Sequence, residues 1–146
     1  MTQHEVDILL VDDRIEDAEL ALIGLKKYNL VNKIDWVKDG EEALEYIFCT
    51  GRYSARDIND KPKIILLDLK MPKVDGIEVL RTIRGDDRTK HIPVIVLTTS
   101  KEEQDIVSAY HLGVNAYILK PVEFEDFVEA MKVTGMFWLL LNQRPY

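Results

Sequence analysis

Ile8-Leu9-Leu10-Val11-Asp12-Asp13 decides how the rest of the chain is read, together with two runs built the same way, Ile64-Ile65-Leu66-Leu67-Asp68 and Val94-Ile95-Val96-Leu97-Thr98. Each is a short apolar stretch that stops abruptly at a polar side chain. Apolar runs of this length without alternation read as strands covered on both faces, the environment of a parallel sheet. A further short segment ends at Lys120-Pro121. In open α/β sheets, ligands bind outside the carboxyl ends of the strands. The expected pocket therefore gathers the carboxyls of Asp12, Asp13 and Asp68, the hydroxyl of Thr98 and the ammonium of Lys120. Those groups suit a divalent cation and a phosphoryl group.

Outward from these runs, strand-like and helix-like segments alternate, as in a sheet wrapped by helices. Ile15, Ala18, Leu22 and Leu25 recur at helical spacing and predict a helix over 15–28. A weaker strand follows over 33–37, and Asp39-Gly40 turns the chain into a helix over about 41–49. The polar stretch 50–62 carries turn formers and reads as an exposed loop. A strand over 63–67 precedes Asp75-Gly76, which opens a helix to about 85. Pro93 leads into a strand over 94–97, and Ser100 with Glu103 has capping-box spacing for a helix over 101–111. Gly113 ends that helix, 115–119 forms a fifth strand, and a last helix runs from near Glu123 to about 141. The expectation is a single α/β domain over 1–146, with a doubly wound, five-stranded parallel sheet and five helices.

Composition narrows the function classes. The chain has 146 residues, 19 basic against 26 acidic, and a formal charge of −7. Its basic residues are scattered, which argues against a nucleic-acid surface, since phosphate contacts need clustered Lys and Arg. The single cysteine, Cys49, fits a reducing compartment and reads as a buried structural thiol. No signal peptide is visible and no segment approaches the roughly 20 apolar residues of a membrane span, so a cytoplasmic protein is expected. His4, His91 and His111 have no metal-ligand spacing.

The strand-end groups fit one chemistry. A carboxylate attacks a phosphoryl group poorly until negative charge is neutralised. Mg²⁺ prefers oxygen ligands and provides that neutralisation. A lysine adds a second positive charge, a hydroxyl adds a hydrogen bond, and aspartyl phosphate is a known type of covalent intermediate. Asp12-Asp13, Asp68 followed by Met71-Pro72 and Asp75-Gly76, then Thr98, Tyr117 and Lys120-Pro121 resemble the receiver domain of two-component response regulators, the CheY-like family. The resemblance spans about 5–132 and leaves a tail over 133–146. It implies the strand order 2-1-3-4-5. It also implies that Asp68 accepts phosphate from a phosphohistidine on a sensor histidine kinase. Asp13 would bind Mg²⁺ directly and Asp12 largely through water, with the backbone carbonyl of Lys70 completing the protein ligands. Lys120 would pair with the phosphoryl group and its peptide bond to Pro121 would be cis, while Thr98 and Tyr117 act as the switch. Such a protein signals through contacts of its fourth helix, fifth strand and fifth helix, and is a phosphoacceptor rather than an enzyme with an external substrate. The extended segment 46–63 and the tail residues Phe137-Trp138-Leu139 resemble the small response regulators of bacterial, especially cyanobacterial, phytochromes.

Two positions depart from the commonest family pattern. Thr99 stands where Ala or Gly is usual and would narrow access to the acyl phosphate, and Lys70 could bring an extra cation to it. Taken alone, Asp12-Asp13 also fits a turn that caps the next helix, and Tyr117 also fits a plain half-buried aromatic. A haloacid-dehalogenase-type hydrolase needs an acid where Lys70 stands. A pseudo-receiver would not retain the full acidic and basic set, and a flavodoxin would meet repulsion from Asp12-Asp13. Phe124, Phe127, Val128 and Met131 form one apolar stripe of the last helix. Val133, Phe137, Leu140 and Leu141 form a second, which predicts a homodimer or partner surface at the C-terminal face.

Overall fold

The computed structural model describes residues 8–27, 33–120, 125–126 and 128–129. Five strands, β1 (Ile8–Val11), β2 (Ile34–Val37), β3 (Ile64–Leu67), β4 (Val94–Thr98) and β5 (Ala116–Leu119), form one sheet in the order β2-β1-β3-β4-β5. Every neighbouring pair is parallel. This is the expected doubly wound order. Among the described residues the α-helices are α1 (Ile15–Lys27), α2 (Gly40–Phe48), α3 (Gly76–Arg84) and α4 (Glu103–His111). Most of the expected last helix, Pro121, and the stripes at its C-terminal end lie outside the described residues; 125–126 and 128–129 are helical.

The apolar runs became strands because both of their faces have something to cover. Side chains alternate across a strand. Ile8, Leu10, Ile64, Leu66, Ile95 and Leu97 therefore share one face with Ala18 of α1, and half-buried Leu22 packs there too. Leu9, Val11, Ile65, Leu67, Val94 and Val96 share the other face with Ala43 and Ile47 of α2, Val79, Leu80 and Ile83 of α3, and Ala109 of α4. Each such side chain contributes about 1.5–3 kcal/mol when taken from water, so the three central strands anchor the molecule.

Register then sets the level of every strand end. Val11 lies opposite Leu67, and the Asp68 N–H donates to the Val11 carbonyl at 3.0 Å, so Asp12 and Asp68 leave the sheet side by side. Thr98 lies opposite Leu119, and the Lys120 N–H donates to the Thr98 carbonyl at 2.8 Å. Polar groups distant in sequence thus meet at one rim.

The predicted helix starts at Asp39-Gly40 and Asp75-Gly76 are capped as their residue types require. Asp39 Oδ1 accepts from the Glu42 N–H at 2.7 Å, and Asp75 Oδ1 accepts from the Glu78 N–H at 3.0 Å. Gly76 follows its cap because a Cβ there would sit 2.3 Å from the carbonyl oxygen of Asp68.

Three local expectations need correction. Ser100 does not cap a helix over 101–111: α4 begins at Glu103 with Glu102 at the cap position, and the Ser100 Oγ accepts from the Glu102 N–H at 3.3 Å rather than from Glu103. The Ser100 hydroxyl also donates to Asp105 Oδ2 at 2.6 Å, a bond strengthened by the carboxylate charge. The stretch 50–62 is more than a loop, since it contains a 3-10 turn at Gly51–Tyr53 and is pinned by Arg56. The Arg56 guanidinium lies 3.8 Å from the centre of the Tyr46 ring and donates to the carbonyls of Tyr46 and Asp60. Cys49 is half-buried rather than buried, because it is the left-handed C-cap of α2 at φ 59°.

Candidate functional site

Asp12 and Asp68 are held in the same way. The Oδ1 of Asp12 accepts from the Arg14 N–H at 3.0 Å, and the Oδ1 of Asp68 accepts from the Lys70 N–H at 3.2 Å. Each carboxylate therefore folds its own following loop into an Asx turn. That leaves both Oδ2 atoms facing one ammonium: Lys120 Nζ stands 2.6 Å from Asp12 Oδ2 and 3.2 Å from Asp68 Oδ2. A third carboxylate, Asp17 on the first turn of α1, takes Lys120 Nζ at 3.0 Å. An ammonium has three N–H donors, and all three are used here.

Asp12, Asp68 and Lys120 are nearly closed off from water, whereas Asp13 is exposed. Burial pulls the Lys120 ammonium down, but its hydrogen bond to Asp12 and the nearby charges outweigh this and raise it above the ordinary lysine range. Burial also pushes the Asp12 carboxyl up, by more than the hydrogen bonds from Lys120 and Arg14 pull it down. Carboxylate oxygens of Asp12, Asp13 and Asp68 lie within 4.8 Å of one another. Three hard oxygen donors so close together, two buried and one open to solvent, fit a divalent cation.

The expected switch pair is tied together through the loop after β4. Buried Thr98 accepts from the Ser100 N–H at its hydroxyl oxygen, 3.3 Å away. Half-buried Tyr117 donates its hydroxyl to the Ser100 carbonyl at 3.0 Å. The Ser100 hydroxyl bonds Asp105, whose carboxyl is held below the ordinary range by that bond and by Lys70. The Lys70 ammonium does not face Asp68, as the sequence suggested; it pairs with Asp105 at 3.0 Å and Glu102 at 3.6 Å. Two carboxylates at the start of α4 hold it instead. Thr99 is exposed.

Two residues of the site were not singled out from the sequence. Asp17 looked like an ordinary acid in the first turn of a helix, where negative charge is favourable anyway. Its one available signal is the position one turn into the helix that follows the acidic pair. Trp36, on the weaker strand β2, donates its indole N–H to the Asp12 carbonyl at 2.8 Å and braces the acidic loop from outside. Nothing in its spacing announces that contact.

A sheet in this order with an acid pair, a further buried carboxylate and a lysine at one rim defines a class. The chain belongs to the response regulator receiver family, whose domain model matches residues 8–132. Its relatives include the response regulators of phytochromes. Response regulator Rcp1 of Synechocystis sp. is 37% identical over 90% of this chain and 88% of its own length. The structure of the bacteriophytochrome response regulator AtBRR shares 50% identity at a TM-score of 0.82, covering 97% of this chain and 100% of that one. The Mn²⁺-bound form of Rcp1 superposes with a TM-score of 0.78 at 35% identity, over 97% of this chain and 99% of that one. The expected likeness to phytochrome regulators is therefore shown. No helix among the described residues is long and apolar enough to cross a membrane.

Proposed function

We propose that this response regulator accepts a phosphoryl group on Asp68 from a sensor histidine kinase of the phytochrome type, with Mg²⁺ as cofactor. The carrying observation is the single ammonium of Lys120 set between Asp12 and Asp68. In the transfer, an Asp68 carboxylate oxygen forms the new bond to phosphorus while the bond to the donor imidazole breaks. Lys120 faces the oxygens that gain charge, and the N–H of Lys70 keeps the acceptor carboxylate oriented. The Asp12, Asp13 and Asp68 carboxylates and the Lys70 carbonyl would hold Mg²⁺, which supplies positive charge against the repulsion between acceptor and phosphoryl oxygens. Thr98 would then turn to the phosphoryl group and Tyr117 would follow it inward, since both are already linked through Ser100.

In this reading, output runs through protein contact. Val107 and Tyr110 of α4 and Leu119 of β5 are large exposed apolar residues, which supports a docking or dimer surface there. The kinase reading draws its support from the phytochrome-associated relatives. Incubation with acetyl phosphate and Mg²⁺ tests the acceptor. We expect stable labelling of the native chain and none of Asp68→Ala. Labelling that persists in Asp68→Ala would place the acceptor elsewhere.

A further inference from the structure

Lys120 and a bound cation need the same oxygens. Asp12 and Asp68 each have one Oδ committed to a backbone N–H, and the other Oδ faces Lys120. An ammonium resting on both Oδ2 atoms opposes a cation that would draw on them. Asp17 changes this balance. It lies 3.0 Å from Lys120 Nζ, and the group of carboxylates close enough to share an ion comprises Asp12, Asp13 and Asp68 without it. Arg14 Nε lies 3.5 Å from the same Asp17 Oδ2, a second cation beside that carboxylate.

We propose that Asp17 is a positioning residue, a carboxylate outside the metal set that draws the Lys120 ammonium toward α1 and so frees Asp12 and Asp68 for the cation. The inference rests on the Mg²⁺ reading above and deepens it. One cation yields its oxygens to another only if its charge has somewhere to go. An ammonium stripped of partners in a buried site carries a large desolvation cost. Asp17 supplies the alternative partner and keeps Lys120 near enough to meet a phosphoryl group later. With Asp17 neutral, the ammonium settles fully onto Asp12 and Asp68 and competes harder with the metal.

The test is a cycle of Mg²⁺ affinities by titration calorimetry on the full chain: native, Asp17→Asn, Lys120→Met, and the double variant, with circular dichroism confirming that each is folded. Groups that orient a metal site from outside typically contribute 10–100-fold to affinity, so Asp17→Asn should weaken Mg²⁺ binding about tenfold in the native background. In the Lys120→Met background no ammonium remains to be diverted, and the same change should alter affinity by less than about twofold, the usual scatter of independent sites. Equal weakening in both backgrounds would show that Asp17 acts only as one more negative charge and would overturn the proposal. Unchanged affinity of Asp17→Asn in the native background would overturn it too. Failure of the native chain to bind Mg²⁺ would remove the metal reading itself, a result distinct from either. Asp17→Glu adds a readout: it keeps the charge and should recover part of the lost affinity, whereas failure to recover any would contradict the role.

Discussion

Gly76 shows how little room a single residue has beside Asp68, the proposed acceptor. The atom a Cβ would strike, at 2.3 Å, is the carbonyl oxygen of Asp68, and the next is the Leu69 Cα at 2.6 Å. Both belong to backbone that cannot swing aside as a side chain would. Gly76→Ala should therefore cost about 1–3 kcal/mol of stability, the usual range for overpacking, measured as a lower urea midpoint. It should also weaken Mg²⁺ binding, because the displaced carbonyl belongs to a proposed ligand residue. The sequence pointed to this position as a turn glycine after Asp75, which is correct for the cap but blind to the packing. At this scale legibility follows chain distance. Asp12, Asp13, Asp68, Thr98 and Lys120 could be read because each ends an apolar run. Trp36, Asp17 and the partners of Lys70 could not, because their roles are set by contacts that residue type and spacing do not encode.

Arg84 acts at the level of elements. Standing in the last turn of α3, it donates to the carbonyls of Leu112 at 2.9 Å, Gly113 at 3.0 Å, Lys90 at 2.9 Å and Ile92 at 2.8 Å. One planar guanidinium thus joins the end of α3, the turn before β4 and the turn between α4 and β5. Its pKa lies below the ordinary arginine value because burial disfavours the charge. Arg84→Met should destabilise the fold by about 2–4 kcal/mol, since several carbonyls lose their donor together. Arg84→Lys should recover little of that loss, because an ammonium cannot span the same fork. Thermal melts of the two variants would check both statements. Sequence reading placed α3 within a residue of its observed ends, since its apolar period and Asp75-Gly76 start agree. It misjudged the beginning of α4, where Ser100 and Glu103 have capping spacing but the Ser100 oxygen accepts from the Glu102 N–H, just ahead of the helix.

Across the whole molecule, the segment between α2 and β3 is the part least visible beforehand and the most unusual electrostatically. Tyr46 donates its hydroxyl to Asp35 Oδ2 at 2.5 Å and Tyr53 donates to Glu42 Oε2 at 2.5 Å, with their rings edge to face at 5.0 Å. Burial and these carboxylates raise both hydroxyls, Tyr53 to about 12. A group raised on folding contributes stability that is complete below its unfolded value, roughly 10 for tyrosine, and that is lost as pH climbs through the folded value. Stability should therefore hold to pH of about 10 and decline toward about 12. Tyr53→Phe should flatten that decline, as read from urea midpoints across the alkaline range. The expected loop was correct in polarity and wrong in order, since Arg56 bonds carbonyls and a ring face that turn-forming composition cannot foretell. The sheet order, which the family resemblance implied, came through intact. One consequence belongs to the rim of that sheet. β2 is only four residues long and stands at the edge, with charged Asp35 inside it and Lys33 and Lys38 on either side. Short, charged borders resist being lengthened by a neighbour's backbone, so crowding should not drive this chain into fibres from that side.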